Sequence, residues 1–337
     1  MRILELITEK PPVKSGFATT ARVLKDGLEA RGHTVDVLSL ADTKFWKLYA
    51  FRPNLMFLKC LKPWKYDVIN VHGNSPFFSE LLVLKLAPFR NKLVYTFHCD
   101  ANSKYSAINK LYNSLHRLLL KIPVKVITTT PDYKAYSGVP SKSVAIPFGV
   151  DKISLKKKPA GFNVLFVGQM RLYKGVDVLL RAWKEIQGDG HLHLVGDGID
   201  KATWMGLAKE LNLKNLTWHG KVDDKKLSEL YNKSHVIVLP SVNTGEAFGI
   251  VLLEGMSHGC FPVSSDLIGL RYVASHFSST FPAGSHIGLA RLLTKIRKEK
   301  QWATKRGNIG EFLKEHTWAK FIDRYEAVYA SVAKSIK

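Results

Sequence analysis

"FNVLFVGQMRLYKGVDVLLRAWKEI", residues 162–186, decides the fold. A short apolar run, Phe162–Val167, reads as a strand and stops at Gly168. A basic loop with Arg171 and Lys174 follows, and "VDVLLRAWKEI" then reads as a helix. Strand, loop and helix in that order form the repeating unit of a parallel sheet covered by helices. The unit recurs downstream. "LHLVGDG" is a strand and turn, "ATWMGLAKEL" a helix, "LTWHG" a strand and "DDKKLSELYNKS" a helix, with "HVIVLPS" and "FPVSSD" as further strands.

Upstream the same alternation is already present. "RILELI" is a buried strand, "SGFATTARVLKDGLEARGH" a helix closing at Gly32, and "TVDVLSL", "DVINVHG", "KLVYTFHCD" and "KVITTTP" are further strand runs. Between the two series lies "GVDKISLKKKPAG", residues 149–161, which is basic, carries Pro and Gly and has little periodicity. It reads as a hinge between two similar α/β domains. The tail "TWAKFIDRYEAVYASVAKSIK" is an amphipathic helix. In parallel sheets ligands bind at the carboxyl ends of strands, which is where His72 and His98 fall.

Composition agrees with this division and narrows the partners. A length of 337 residues suits two domains, and a hydrophobic fraction of 46% is enough for two cores. No run of about eighteen apolar residues suggests a membrane span, and the amino terminus lacks the pattern of a signal peptide. Cys60, Cys99 and Cys260 are scattered without disulfide or metal spacing, which fits a reducing cytosol. The formal charge is +22, and residues 1–150 hold 22 basic and 10 acidic side chains, so the excess is spread along the chain. Such a protein is drawn to nucleic acid, anionic membrane or phosphorylated substrates; a generally basic proteome is the plainer explanation. No nucleic-acid-binding motif is present.

The chemistry concentrates in "GEAFGIVLLEGM", residues 245–256. A carboxylate among Ile250, Val251, Leu252 and Leu253 costs energy unless it is bonded. Glu246 and Glu254 are eight residues apart, about 12 Å of helix. That exceeds the roughly 5–9.5 Å between paired glycosidase carboxylates, so the two suit opposite ends of one long ligand. The helix start between them, near Ala247–Ile250, offers N–H groups and a positive dipole end for phosphate, and Gly249 permits close backbone approach. Hydroxyls, diphosphate and ribose in sequence describe a nucleoside diphosphate sugar. The alternative is structural: a glutamate favoured by the helix dipole and a half-exposed Glu254. Arg171 and Lys174 at a strand end suit a diphosphate leaving group, or are a solvated basic loop.

Taken together, the motifs resemble the GT-B retaining glycosyltransferases of family 4, and the resemblance covers nearly the whole chain. "GEAFGIVLLEGMSHGCFPV" is similar to the family's E-x7-E segment, "FVGQMRLYKGVDVLLRAW" to its donor-phosphate loop and helix, and "LTWHGKVDDKKLSELYNKSHVIVLPS" to the approach to that segment. "IPFGVD" resembles the connector, "SGFATTARVLKDGLEARGHTVDVLS" the first Gly-rich loop and helix, and "DVINVHG" and "TFHCD" the histidine-bearing strand ends.

The resemblance implies an α/β GT-B fold, two Rossmann-like α/β/α domains facing each other across a cleft. Residues 1–150 form the acceptor-side domain, 151–317 the nucleotide-sugar domain, and 318–337 a helix packing back on the first. It implies ribose binding by Glu254 and sugar contacts from Glu246 and His98. Phe248, Gly249 and Ile250 contribute backbone, Arg171 and Lys174 hold diphosphate beside Gly168, and Gly16 reaches phosphate across the cleft.

The implied activity is hexosyl transfer with retention from a UDP- or GDP-sugar to a glycan or lipid-linked acceptor of the cell envelope. Neither cofactor nor metal is expected, since no D-x-D occupies a suitable loop; Asp197 and Asp200 read as a turn. The partners expected are the nucleotide sugar, the acceptor and an anionic membrane surface, not nucleic acid. The location expected is the cytoplasm, peripheral on the cytoplasmic membrane face.

The sequence also departs from the family pattern. Gln169 stands where Arg is common, Phe148 where Asn is, the first loop is reduced to "KSGF", and "SSDLIGLRYV" has one glycine for two. The rival readings are a GT-B nucleotide-sugar epimerase and a non-catalytic polyanion-binding scaffold. His72 reads as a second strand-end ligand or as a hydrogen-bonded structural histidine. Aromatic and basic residues interleave at 44–65, and "NKLYNSLHRLLLKI", 109–122, mixes leucines with cations. Both suit a membrane surface, or else the apolar residues cover the first sheet.

Overall fold

A computed structural model describes residues 1–8, 16–39, 61–73, 78–101, 106–151, 153–186, 188 and 190–336. The chain divides into two compact units, Met1–Phe148 with Trp318–Lys337, and Gly149–Thr317.

In the first unit the chain runs β1 (Arg2–Ile7), α1 (Gly16–Glu29), β2 (Thr34–Ser39), β3 (Val68–Gly73), α2 (Phe78–Leu86), β4 (Leu93–Phe97), α3 (Ser106–Leu119), β5 (Lys125–Thr128), α4 (Pro131–Tyr136) and β6 (Ser143–Ala145). Six strands pair in the order β2-β1-β3-β4-β5-β6, and every pairing is parallel. Helices on both faces explain why β1, β3 and β4 are buried almost throughout rather than on alternate residues.

The second unit contains β7 (Phe162–Val167), α5 (Val176–Glu185), β8 (Gly190–Val195), α6 (Lys201–Glu210), β9 (Leu216–Gly220), α7 (Asp224–Lys233), β10 (Val236–Leu239), α8 (Ile250–Ser257), β11 (Phe261–Ser265), α9 (Arg271–Ser275), β12 (Thr280–Phe281), α10 (His286–Glu299), α11 (Gln301–Thr304) and α12 (Arg306–Lys314). Its sheet is also parallel, in the order β12-β11-β10-β7-β8-β9. The basic segment 153–161 belongs to this unit. Ser154 N–H donates to Ser257 O at 2.7 Å, and Lys158 Nζ donates to the carbonyls of Tyr231 and His258, each at 2.8 Å.

The last helix, α13 (Trp318–Lys334), is built into the first unit. Phe321, Tyr325, Val328, Tyr329 and Val332 are its buried face. Gly27 of α1 allows the close approach, because a Cβ there would lie 2.0 Å from Ile322 Cδ1. Arg31 bonds Asp323 at 2.5 Å and Glu326 at 2.6 Å, and His33 meets Glu326 at 2.7 Å.

Candidate active site

The loop after β7 is held in place by backbone contacts. Gly196, at φ 128°, lies so near Gly168 that a Cβ would sit 1.8 Å from the Gly168 oxygen. Asp200 accepts from Leu172 N–H at 2.9 Å across to this loop and Asp197 accepts from Gly198 N–H, so both acids are engaged by backbone. One turn of 3₁₀ helix, Leu172–Lys174, follows, closed by Gly175 at φ 65°. Val242 N–H donates to Tyr173 O at 2.9 Å, which ties this loop to the segment after β10.

That tie brings Lys174 onto Glu246, where the two form an ion pair. Burial opposes the lysine charge, but the Glu246 carboxylate and Tyr173 hold the Lys174 pKa above its ordinary value. The ammonium therefore stays charged in a half-buried place, which suits stabilisation of a leaving diphosphate. Arg171 is exposed, and its Nε donates to Gln169 Oε1 at 3.2 Å. Gln169, which stands where the family commonly has Arg, thus orients the nearby guanidinium.

The segment 245–254 is a loop followed by a helix. Glu246 precedes α8, and Gly249 is its N-cap at φ 78°, ψ 58° with no side-chain cap. The first N–H groups of a helix have no intrahelical acceptor and carry the positive dipole end. Glycine is required at 249, since a Cβ would lie 2.6 Å from Leu239 and 2.9 Å from Leu270. Phe248 is buried against Tyr272, so only its backbone is placed to meet a ligand. Ile250 opens α8, and Glu254 is half-buried one turn on. Tyr231 donates to Glu254 Oε2 at 2.8 Å. Burial raises the Glu254 carboxyl above its usual range, against the Tyr231 hydrogen bond and with help from Asp224. Hydroxyl donors from a ribose would satisfy that carboxylate.

In the other unit Gly16 is the exposed first residue of α1, and its neighbours on the amino-terminal side lie outside the described residues. His98 directly follows β4 and is buried beside His72, with His72 Nδ1 and His98 Nε2 3.1 Å apart. Burial, and behind it the His72 ring, pushes the His98 imidazole well below its ordinary pKa. Among the described residues no group of three or more His, Cys, Asp and Glu is arranged to hold a metal ion.

Two family models together span most of the chain: Glycosyl transferases group 1 over residues 150–315, and Glycosyltransferase Family 4 over residues 14–152. The chain belongs to the GT-B glycosyltransferases of group 1 and family 4. It is 34% identical to a D-rhamnosyltransferase of Pseudomonas aeruginosa over 228 residues, 62% of this chain and 58% of that relative's length. With O-antigen chain mannosyltransferase C of Escherichia coli it shares 29% over 289 residues, 76% of each. The Anabaena protein HepE in complex with UDP has the same fold, with a TM-score of 0.75 and 17% identity over 98% of this chain and 100% of that one.

Within this glycosyltransferase the structure brings Gly168, Lys174 and Glu246 together after β7, sets Phe248, Gly249 and Ile250 at the start of α8 beside Leu239 of β10, and places Glu254 farther along α8 against Tyr231. Arg171 stands at the exposed edge of that group, and His98 and Gly16 belong to the first unit. Sequence reasoning missed Tyr231 and a buried set around His72: Glu5, Asn70 and Tyr329. Glu5 was discoverable by the argument applied to Glu254, since it interrupts the apolar run "RILELI".

Proposed function

We propose that this glycosyltransferase moves a hexosyl unit, with retention, from a UDP- or GDP-sugar to a glycan or lipid-linked acceptor of the cell envelope. The Lys174–Glu246 pair beside the uncapped start of α8 carries the reading. Lys174 and Arg171 take the charge of the departing diphosphate in place of a metal, Glu254 accepts from the ribose, and Glu246 and His98 contact the sugar. Gly16 meets phosphate. The rhamnosyl and O-antigen mannosyl relatives support a hexosyl donor and an envelope acceptor, and the UDP complex of HepE supports a nucleotide.

The test is thermal shift against UDP, GDP, ADP and their sugars, with and without chelator, since a ligand of the folded state raises Tm. One nucleotide series is expected to stabilise the protein irrespective of chelator. Glu254→Ala is expected to weaken that nucleotide about tenfold or more, the worth of a charged hydrogen bond. A panel without any hit argues for the scaffold reading, and a sugar epimer formed without transfer argues for the epimerase. Anomeric configuration of the product, read by NMR, decides retention.

We further propose that the protein sits on the cytoplasmic face of an anionic membrane through α3. The amphipathicity of this helix is reversed. Ile108, Leu111, Leu115 and Leu118, exposed by 61, 65, 55 and 56%, form one outward stripe. The inward side is polar: Asn113 exchanges two hydrogen bonds with the Ala101 backbone, and His116 Nδ1 meets Glu80 at 2.5 Å. Residues 106–125 include Lys110, Arg117, Lys121 and Lys125 and no acidic residue. An apolar stripe with Lys110, Lys121 and Lys125 nearby, and with Arg117 paired to Asp100, fits an anionic bilayer. The other membrane-surface candidate, 44–65, falls mostly outside the described residues.

A further inference from the structure

One face of the first sheet carries a continuous line of polar side chains under α13. Glu5 pairs in register with Asn70 across β1 and β3, and His72 with Thr96 across β3 and β4. Because side chains alternate along a strand, Asn70 and His72 share a face, and so do Thr96 and the His98 that follows β4. Glu5 is fully buried, and all its partners are within reach. His72 Nε2 is 2.7 Å and Asn70 Nδ2 3.0 Å from Glu5 Oε2, while Tyr329 of α13 donates to Oε1 at 2.6 Å. Asn70 Nδ2 also donates to the Tyr329 oxygen at 2.8 Å, and Thr96 donates to Asn70 Oδ1 at 3.1 Å.

Proton counting then fixes the direction of each bond. A carboxylate only accepts, so the His72 nitrogen facing Glu5 carries the hydrogen. Both hydrogens of the Asn70 amide are used on Glu5 and Tyr329, so Asn70 does not donate to His72 although the atoms are 2.9 Å apart. A neutral His72 protonated at Nε2 has a lone pair at Nδ1, which accepts from His98 Nε2–H at 3.1 Å. We propose that Glu5 and His72 are positioning residues that hold His98 as its Nε2–H tautomer, with Nδ1 as an acceptor atom. This rests on the reading of His98 at the donor sugar. Glycosyl transfer builds positive charge on the sugar ring. An acceptor nitrogen, backed through His72 by the Glu5 carboxylate, favours that charge; an N–H in its place opposes it. Burial, and behind it the His72 ring, keeps the His98 ring neutral in the resting protein.

The experiment is two-bond ¹H–¹⁵N correlation of the full-length protein, with the His98 signals assigned from His98→Gln, alongside steady-state kinetics. Wild type is expected to show His98 protonated at Nε2. In Glu5→Met the acceptor is gone, Asn70 is free to donate to His72 Nε2, and both rings flip. His98 then shows Nδ1–H, and kcat falls about tenfold or more with the donor KM within about twofold. Glu5→Gln keeps a carbonyl oxygen for His72 and is expected to retain the wild-type tautomer and turnover. An Nδ1-protonated His98 in wild type, or an unflipped ring in folded Glu5→Met, overturns the relay. If Glu5→Met does not fold, the wild-type spectrum still decides. A flip without loss of turnover leaves the relay standing and removes His98 from the donor sugar.

Discussion

At the scale of single residues, Lys174 and Glu246 show how a site can be stored in the resting protein. Each is half-buried, and each carries a charge that the other offsets. Removing one leaves the other uncompensated, so Lys174→Met is expected to lower stability by about 1–2 kcal/mol. The double variant Lys174→Met, Glu246→Gln should recover most of that loss in a denaturant titration, because the unpaired charge is gone. It should not recover turnover, because the leaving diphosphate still lacks its cation. Recovery of both in the double variant would mean that the pair serves stability alone. The glutamates at 246 and 254 stood out in the sequence because they flank an apolar run, but the helical spacing read between them was wrong: Glu246 lies in the loop before α8 and only Glu254 is in the helix. Tyr231 did not stand out: its bond to Glu254 crosses between two helices, and "ELYNKS" read alone is an ordinary helix end.

At the scale of elements, the edge of the second sheet holds a histidine cluster that links folding to pH. His191 and His193 share one face of β8, their rings 4.6 Å apart. A register shift between Leu194 and Val195 skips His219 of β9 and sets its Nε2 3.1 Å from His193 Nδ1. Burial, then the neighbouring His191 and His219 and then Lys233, lowers the His193 pKa to about 4. Burial comes first for His191 and His219 too, with Lys226 and then His191 adding for His219. A folded pKa below the unfolded one means that the unfolded chain binds more protons. The cluster therefore costs nothing above about pH 6.5 and destabilises progressively as pH falls towards 4. Tm is expected to fall across that window, and His193→Gln to flatten the fall; an identical profile in the variant would remove the cluster from the linkage. Apolar strands such as β1, β7 and β10 were plain in the sequence because they are buried on both faces. β6 was not, being three residues with one fully buried side chain, and neither was the β9 bulge, which depends on its partner strand.

At the scale of the molecule, the question is what a charge of +22 is for. It is distributed over both halves of the sequence, and no composition argument could say whether it marks a diffuse polyanion binder or a surface with a defined partner. The polar line from Glu5 to Tyr329, 324 residues apart, was beyond sequence reading for the same reason: it exists only once α13 lies on the first sheet. The reversed helix α3 separates the two uses of charge. Diffuse attraction is screened as the Debye length shrinks from about 10 Å at 0.1 M salt to about 3 Å at 1 M, whereas burial of a leucine stripe is not. Co-sedimentation with phosphatidylglycerol vesicles is therefore expected to persist in part at high salt, and binding to heparin to vanish. Leu111→Ser with Leu115→Ser should abolish the salt-resistant part and leave heparin binding at low salt unchanged, because no charge has been altered. Vesicle binding that disappears with salt as completely as heparin binding would assign the whole affinity to charge and leave the α3 stripe without a membrane role.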